Sequence, residues 1–269
     1  MYDTLSNIVT HRVDVMKKYT DYKIPIPVKR ENAMKVKAIT VKDLPVSAQG
    51  YDRLVQSSKA VGNDFEIEKY DAVTPDQTDH LMEKYDFEWT WPWSGSKTHD
   101  KINVHMRSYG TANPQRRIAC GLSHFLLWEE CMNTNEPILI LEHDAEFTQK
   151  FDPTGALESE YLAIGINDPH NATRLIPVFH GKVQETPADE HGCIPCPIID
   201  RPEVAQGLAG NSAYIIKPEG ARIMWDKLYE LGLWPNDAIL ARPVVEWLGV
   251  TKEYYTRVQG LTSTTSSIH

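Results

Sequence analysis

Hydrophobic and polar positions along the chain divide it into alternating strand and helix patterns. Residues 4–18 carry Leu5, Ile8, Val9, Val13 and Met16 at roughly helical spacing, and Pro25 and Pro27 end that pattern. This predicts a helical N-terminal appendage over residues 1–30. Val36–Val41 is β-rich and ends at Leu44-Pro45, which predicts a strand and a turn. Ser47 is placed to cap a helix carrying Tyr51, Leu54 and Val55. Phe65–Tyr70 alternates apolar and acidic residues, so the order strand, helix, strand predicts a parallel βαβ unit. Residues 87–114 read as irregular, with Trp89, Trp91 and Trp93 alternating ahead of Gly95, Gly110 and Pro114. Ile118, Leu122, Phe125 and Leu126 then mark a helix with one buried face.

Pro137 opens the strand Ile138–Leu141, which runs directly into Glu142-His143-Asp144. Tyr161–Ile166 reads as another apolar strand, and residues 180–207, rich in Pro and Gly, as a long surface loop. Ala213–Ile216 is a strand, Pro218 opens a helix through Ile223, Met224, Trp225 and Leu228, and Asn236 or Asp237 caps a further helix to Trp247. No repeat of 20–50 residues is visible. The expected fold class is α/β.

Composition narrows this only slightly. The 269 residues are 41% hydrophobic and 24% charged, which excludes collagen-like, low-complexity and mostly disordered chains. A chain of this size buries roughly 70–75% of its unfolded surface and needs no disulfide staples. Cys120, Cys131, Cys193 and Cys196 are too few for a disulfide scaffold and suit a reducing compartment. The net charge of −9 gives no overall attraction for phosphate backbones. Residues 97–117 depart from it, with Lys97, Lys101, Arg107, Arg116 and Arg117 against Asp100. No secretory signal stands at the N-terminus, and the most apolar run, Ile138–Leu141, is too short to span a membrane. A soluble, cytoplasmic protein is expected.

The strongest chemical signal is the run Ile-Leu-Ile-Leu-Glu-His-Asp-Ala-Glu-Phe, residues 138–147. A buried strand delivers Glu142, His143 and Asp144 at its C-terminal end, the edge where open α/β sheets bind ligands. Alternate strand residues share a face, so Glu142 and Asp144 project together. A divalent cation is the natural partner for such acids, with simple solvation as the alternative.

The helix Ile118-Ala119-Cys120-Gly121-Leu122-Ser123-His124, then Trp128, then the acid-tipped strand, resembles the family 25 glycosyltransferases. That family includes bacterial lipopolysaccharide sugar transferases and collagen galactosyltransferases. Its pattern is a Gly-Cys-x-x-Ser-His helix and a strand ending Leu-Glu-Asp-Asp-Ala. Tyr70-Asp71-Ala72-Val73, Gly210, Ala213-Tyr214-Ile215-Ile216, Gly220-Ala221, Pro235-Asn236-Asp237 and Ser266-Ser267-Ile268 are similar to further family elements, in order. The resemblance spans roughly residues 35–268. Two positions depart from it: His143 stands where the family has an acid, and Ala119 where it has Gly.

The resemblance implies a GT-A-type, Rossmann-like mixed sheet flanked by helices. It divides the domain 31–269 into a nucleotide-binding half, about 31–150, and an acceptor half, about 151–269. It implies transfer of a sugar from a nucleotide diphosphate, uridine by preference, to an acceptor hydroxyl with inversion. A divalent metal, Mn²⁺ or Mg²⁺, would be held by Glu142, His143 and Asp144, or by Glu142 and Asp144 with His143 turned to the sheet. Thr40, Val41, Ser47, Asp71, Ala72 and Val73 would form the nucleotide edge. Arg117, with Arg107 and Arg116, would hold the diphosphate or the acceptor. Asp237 is the candidate general base, with a helix N-cap as its alternative role.

The acceptor expected from the family is a surface glycan; a modified base in viral DNA is encouraged only by the basic stretch at 97–117. Ser123 and His124 are adjacent on a helix and make a poor nucleophile–base pair. The three tryptophans can stack on sugar or base rings or simply pack. Cys193 and Cys196 form a zinc site only if His180 and His191 join them, and otherwise are free thiols. Asn171-Ala172-Thr173 matches a glycan sequon without meaning in the absence of secretion. The rival classes are a non-catalytic carbohydrate-binding protein with a decayed site and a zinc-dependent protein.

Overall fold

The computed structural model describes residues 34–170, 175–208 and 210–261. The expected appendage at 1–30, the sequon and the tail at 266–268 lie outside the described residues. The strands are β1 (Lys35–Thr40), β2 (Glu68–Asp71), β3 (Ser96–His99), β4 (Val104–Arg107), β5 (Ile138–Glu142), β6 (Ala145–Phe147), β7 (Ala163–Gly165), β8 (Cys193–Pro195), β9 (Ala213–Ile216), β10 (Leu248–Thr251) and β11 (Thr256–Val258). The helices are α1 (Pro45–Ala60), α2 (Thr78–Tyr85), α3 (Pro114–Thr134), α4 (Thr154–Glu158), α5 (Ile176–Glu185), α6 (Pro218–Leu231) and α7 (Asn236–Ile239).

One seven-stranded sheet runs in the order β2-β1-β5-β9-β7-β10-β8. β2, β1 and β5 are mutually parallel, while β9 is antiparallel to both β5 and β7. This is the mixed α/β sheet flanked by helices expected from the sequence, including the β1-α1-β2 unit. β5 is buried on both faces, which is why it reads as an unbroken apolar run. Ile138 and Ile140 join the core under α3 and α6, and Leu139 and Leu141 join the core under α1 with Leu54.

Local chemistry sets the helix ends. Asn113 caps α3 by accepting from the Arg116 N–H at 3.2 Å, and Pro114 occupies its first turn. Gly232, at φ 80°, follows the end of α6, and a Cβ there would lie 2.2 Å from the Thr90 side chain. Pro45 likewise opens α1, so Ser47 is not its cap; Ser47 sits inside the helix, and its Oγ accepts from the Val41 N–H at 2.8 Å.

Three stretches differ from the sequence reading. The helix expected to reach Trp247 is only the turn α7, because Pro243 cannot sit in a helix interior. The loop expected at 180–207 contains most of α5 and the buried strand β8, which pairs with β10. The irregular stretch at 87–114 holds the β3–β4 hairpin, whose first strand is largely exposed and so lacks the alternation of a half-buried strand. Among the described residues no helix is long and apolar enough to cross a membrane.

Candidate active site

The C-terminal ends of β1, β2 and β5 open onto a cleft of about 780 Å³. Its walls are the turns after β1 and β2, the Glu142–Asp144 turn, the N-terminal half of α3, the Gly210–Ser212 segment and Asn236-Asp237. The Glu142 N–H donates to the Ser212 carbonyl at 2.7 Å and the His143 N–H to the Ile39 carbonyl at 3.1 Å, so neighbouring strands fix the tip of β5 from both sides.

Glu142 is half-buried, and a buried relay orients it. The Trp128 indole N–H donates to the Tyr214 hydroxyl at 2.9 Å, and that hydroxyl lies 3.0 Å from His124 Nδ1. His124 Nε2 lies 3.2 Å from Glu142 Oε1, and since an ionised carboxylate only accepts, Nε2 is the donor there and Nδ1 the atom that accepts from the Tyr214 hydroxyl in the neutral ring. His124 and Trp128 share one face of α3 at i, i+4 spacing, the sequence signal that they act together.

Asp144 Oδ1 is buried without a hydrogen-bond partner. Burial and the nearby charge of Glu142 push its carboxyl up to about 7. Asp237 Oδ1 is in the same condition on a separate segment. Burial raises the Asp237 pKa, Arg117 opposes that rise, and Glu142 adds to it. Arg117 lies over the Tyr109 ring at 5.3 Å, and its Nε is buried without a partner. Gly207 fixes the Asp237 turn from behind, since a Cβ there would fall 0.9 Å from the Asp237 carbonyl oxygen.

His143 lines the cleft beside α1, where a Cβ on Gly50 would come within 3.1 Å of its ring. Burial lowers its pKa and favours the neutral imidazole. Gln259 staples this turn, because its Nε2 donates to the carbonyls of Gly50 and Ala145 at 2.8 Å each and approaches that of His143 at 3.3 Å. Cys120 projects into the same space, its Sγ donating to Asn236 Oδ1 at 3.8 Å. Ligand atoms of Cys120, His124 and Glu142 lie within 4.8 Å of one another, so they form a second set able to hold a metal.

Of the expected nucleotide edge, Val41, Ala72 and Val73 line the cleft. Thr40, Ser47 and Asp71 do not. Thr40 Oγ1 donates to the Tyr70 carbonyl at 3.3 Å, Ser47 holds Val41, and Asp71 is exposed at the end of β2. Ser123, which has no role in the sequence reading, accepts from the Val73 N–H at 2.9 Å and so positions that edge. Arg116 and Arg117 line the cleft, whereas Arg107 is exposed on the β4 hairpin.

The remaining sequence candidates lie outside the cleft lining. Trp91 is buried against Trp234 and Tyr109, and Trp89 stacks on Trp93 at 4.8 Å, with Trp93 41% exposed. Cys193 and Cys196 are buried free thiols. His180 pairs with Asp168 at 3.0 Å and His191 approaches Glu158 at 3.8 Å, so neither joins the two cysteines as a metal cluster among the described residues.

A family model described as glycosyltransferase family 25 (LPS biosynthesis protein) matches residues 51–240. No curated protein matches the sequence. Among solved structures, mouse xyloside xylosyltransferase 1 in its apo form aligns at 11% identity over 77% of this chain and 80% of that one, with a TM-score of 0.34. The glycosyltransferase GlyE of Streptococcus pneumoniae TIGR4 aligns at 9% identity over 81% of this chain and 45% of that one, with a TM-score of 0.35.

Proposed function

Because the chain belongs to glycosyltransferase family 25, we propose that its cleft moves a sugar from a nucleotide-diphosphate donor, a uridine one by preference, to a hydroxyl of a surface glycan with inversion. The observation that carries this reading is a pair of buried, unpartnered carboxylate oxygens, Asp144 Oδ1 and Asp237 Oδ1, brought to one cleft by different segments. Two acids that each keep an oxygen unpartnered suit an inverting transfer, one for a cation and one for a proton.

Glu142 and Asp144 suit a hard divalent ion such as Mn²⁺ or Mg²⁺, since carboxylate oxygens are its preferred ligands and Asp144 Oδ1 has no other partner. When bound, such an ion supplies neutralisation of the charge that grows on the leaving diphosphate. His143, a neutral imidazole on the same turn, suits Mn²⁺ better than Mg²⁺. The His124–Tyr214–Trp128 relay holds Glu142 in one orientation, which removes reorganisation from the reacting step. Arg116 and Arg117 offer donors to the phosphates. Val41, Ala72 and Val73 bound the nucleotide. Asp237 takes the proton of the acceptor hydroxyl, and the rise in its pKa makes it a stronger base than an exposed aspartate.

A screen of nucleotide sugars for donor hydrolysis, with and without Mn²⁺, tests the reading. Hydrolysis of one uridine diphosphate sugar that depends on the ion supports it. Failure to bind or turn over any nucleotide sugar with or without the ion would overturn it in favour of a non-catalytic carbohydrate-binding protein.

A further inference from the structure

We infer that Asn211 and Ser212 recognise the hydroxyls of the donor sugar, so that the corner Gly210–Ser212 selects among hexoses. This rests on the nucleotide-sugar reading above and assigns the sugar end of that same site.

Asn211 is 7% exposed and Ser212 4%, yet Asn211 Nδ2, Asn211 Oδ1 and Ser212 Oγ have no hydrogen-bond partner. Native proteins leave very few buried polar atoms unpaired, and here three lie in two consecutive residues of a cleft wall, open to bonds from an entering ligand. Both residues line the cleft. The last side-chain torsion of Asn is broad and soft, so the amide turns toward an entering ligand without leaving a rotamer well.

The corner itself is stiff. Gly210 has φ +64°, and a Cβ there would lie 2.6 Å from Pro169 Cα and 2.7 Å from Asn167 Nδ2, so the chain is pressed against its support. The Ser212 N–H donates back to the Gly210 carbonyl at 2.8 Å, which closes a three-residue turn with Asn211 at its apex. The Ser212 carbonyl accepts from the Glu142 N–H at 2.7 Å. The unpartnered amide is thereby held in fixed relation to the acid-bearing strand.

Sheet order identifies which part of the donor the corner meets. Across the strand ends the sequence is β2, β1, β5, β9. The nucleotide edge follows β1 and β2, the acids tip β5, and the corner precedes β9. Neighbouring strands are about 4.8 Å apart, so the corner lies about 10 Å from the β1 end, with the acids between. A nucleotide-diphosphate sugar laid across these ends puts its base at β1–β2, its diphosphate at β5 and its sugar at β9. The chemistry agrees. Phosphate oxygens only accept hydrogen bonds, whereas a sugar hydroxyl both donates and accepts, as the Asn211 amide and the Ser212 hydroxyl also do.

The test is titration calorimetry in Mn²⁺ with UDP, UDP-glucose, UDP-galactose, UDP-N-acetylglucosamine and UDP-xylose, on the parent and on Asn211→Ala, Asn211→Asp and Ser212→Ala. Asn211→Asp keeps the side-chain shape while removing the amide donor, and it serves if the alanine variant fails to fold. The parent should prefer one sugar by at least tenfold. Asn211→Ala should bind UDP within about twofold of the parent but its preferred UDP-sugar roughly tenfold or more weakly, and the ranking of sugars should flatten. Equal weakening of UDP and UDP-sugar, or an unchanged ranking, would overturn the inference and leave the nucleotide site standing. If the parent binds neither UDP nor any UDP-sugar, the functional reading beneath it falls as well.

Discussion

Charge gathers at two ends of the sheet that contains strand β1 and on which helix α3 packs. At the end remote from the cleft, Lys37 is 7% exposed, and its ammonium meets Glu130 at 2.9 Å and Glu68 at 3.3 Å. Lys35 meets Glu130 and Glu136 at 3.2 Å each. Burial works against ionisation of Glu130, but hydrogen bonds from Lys37 and Lys35 prevail and hold its carboxyl below the usual range. At the cleft end, Asp144 and Asp237 carry oxygens with no partner, and their pKa values rise. The two ends of the sheet thus hold a saturated ion network and an unsaturated one. The first locks β1, β2 and α3 together. The second is an electrostatic deficit that only a ligand fills, which is why it marks the site.

The contrast is broken most strongly at Asp237. Asp237→Asn keeps size and shape but cannot take a proton at neutral pH, so transfer should fall roughly 10²–10⁴-fold with donor binding near normal. Transfer at the parent rate would reduce Asp237 to a structural residue.

Asp144→Asn should abolish Mn²⁺-dependent nucleotide binding in calorimetry while making the empty protein more stable at neutral pH. The sign comes from the proton balance. The folded carboxyl has a pKa of about 7, against 3.8 as its ordinary value, so the folded state holds a proton that the unfolded state has released. The contribution of Asp144 to stability is therefore present below about pH 4 and is lost as pH rises toward 7. Melting curves across that window should slope downward with pH for the parent and flatten in the variant. A parallel slope in both would show that Asp144 is not the group responsible.

Lys37→Met has the smallest expected effect and acts at the opposite end. It leaves Glu130 half-buried with Lys35 as remaining partner, so the loss should be about 2 kcal/mol of stability, less than for a wholly buried broken pair. The catalytic constant should stay at the parent value, since the network touches no cleft residue. A matching loss of activity would erase the distinction between the two ends.

The acid-tipped strand is legible in the sequence because burial on both faces and function at one tip leave a pattern that few other structures share. The βαβ unit and the opening of α6 at Pro218 are legible for similarly local reasons. Other features depend on tertiary pairing. Ser47 and Ser123 each commit their hydroxyls to backbone N–H groups of the nucleotide edge, and nothing nearby in sequence announces those partners. Adjacency on a helix makes Ser123 and His124 diverge, which hides the role of His124; its actual partners, Tyr214 and Glu142, come from two strands distant in the chain. Asn211 gives no signal, because an unpartnered amide is a property of the folded surroundings and not of the residue. The short helix from Asn236 has a local cause in Pro243, which the apolar spacing through Trp247 masks in the sequence reading.

Gln259 adds a consequence in time. Its bond to the Gly50 carbonyl joins residues 209 positions apart, and its own N–H donates to the Asp144 carbonyl at 2.7 Å. The turn that bears the acids is therefore fastened by one of the last described residues of the chain. At roughly 5–20 residues per second of synthesis, α1 waits on the order of 10–40 s for that partner. During that interval β1, α1 and β2 can pair locally, but the cleft stays open on the side that Gln259 closes. A nascent chain of this kind can pair β1, α1 and β2 early and fastens the acid-bearing turn only once Gln259 has been made.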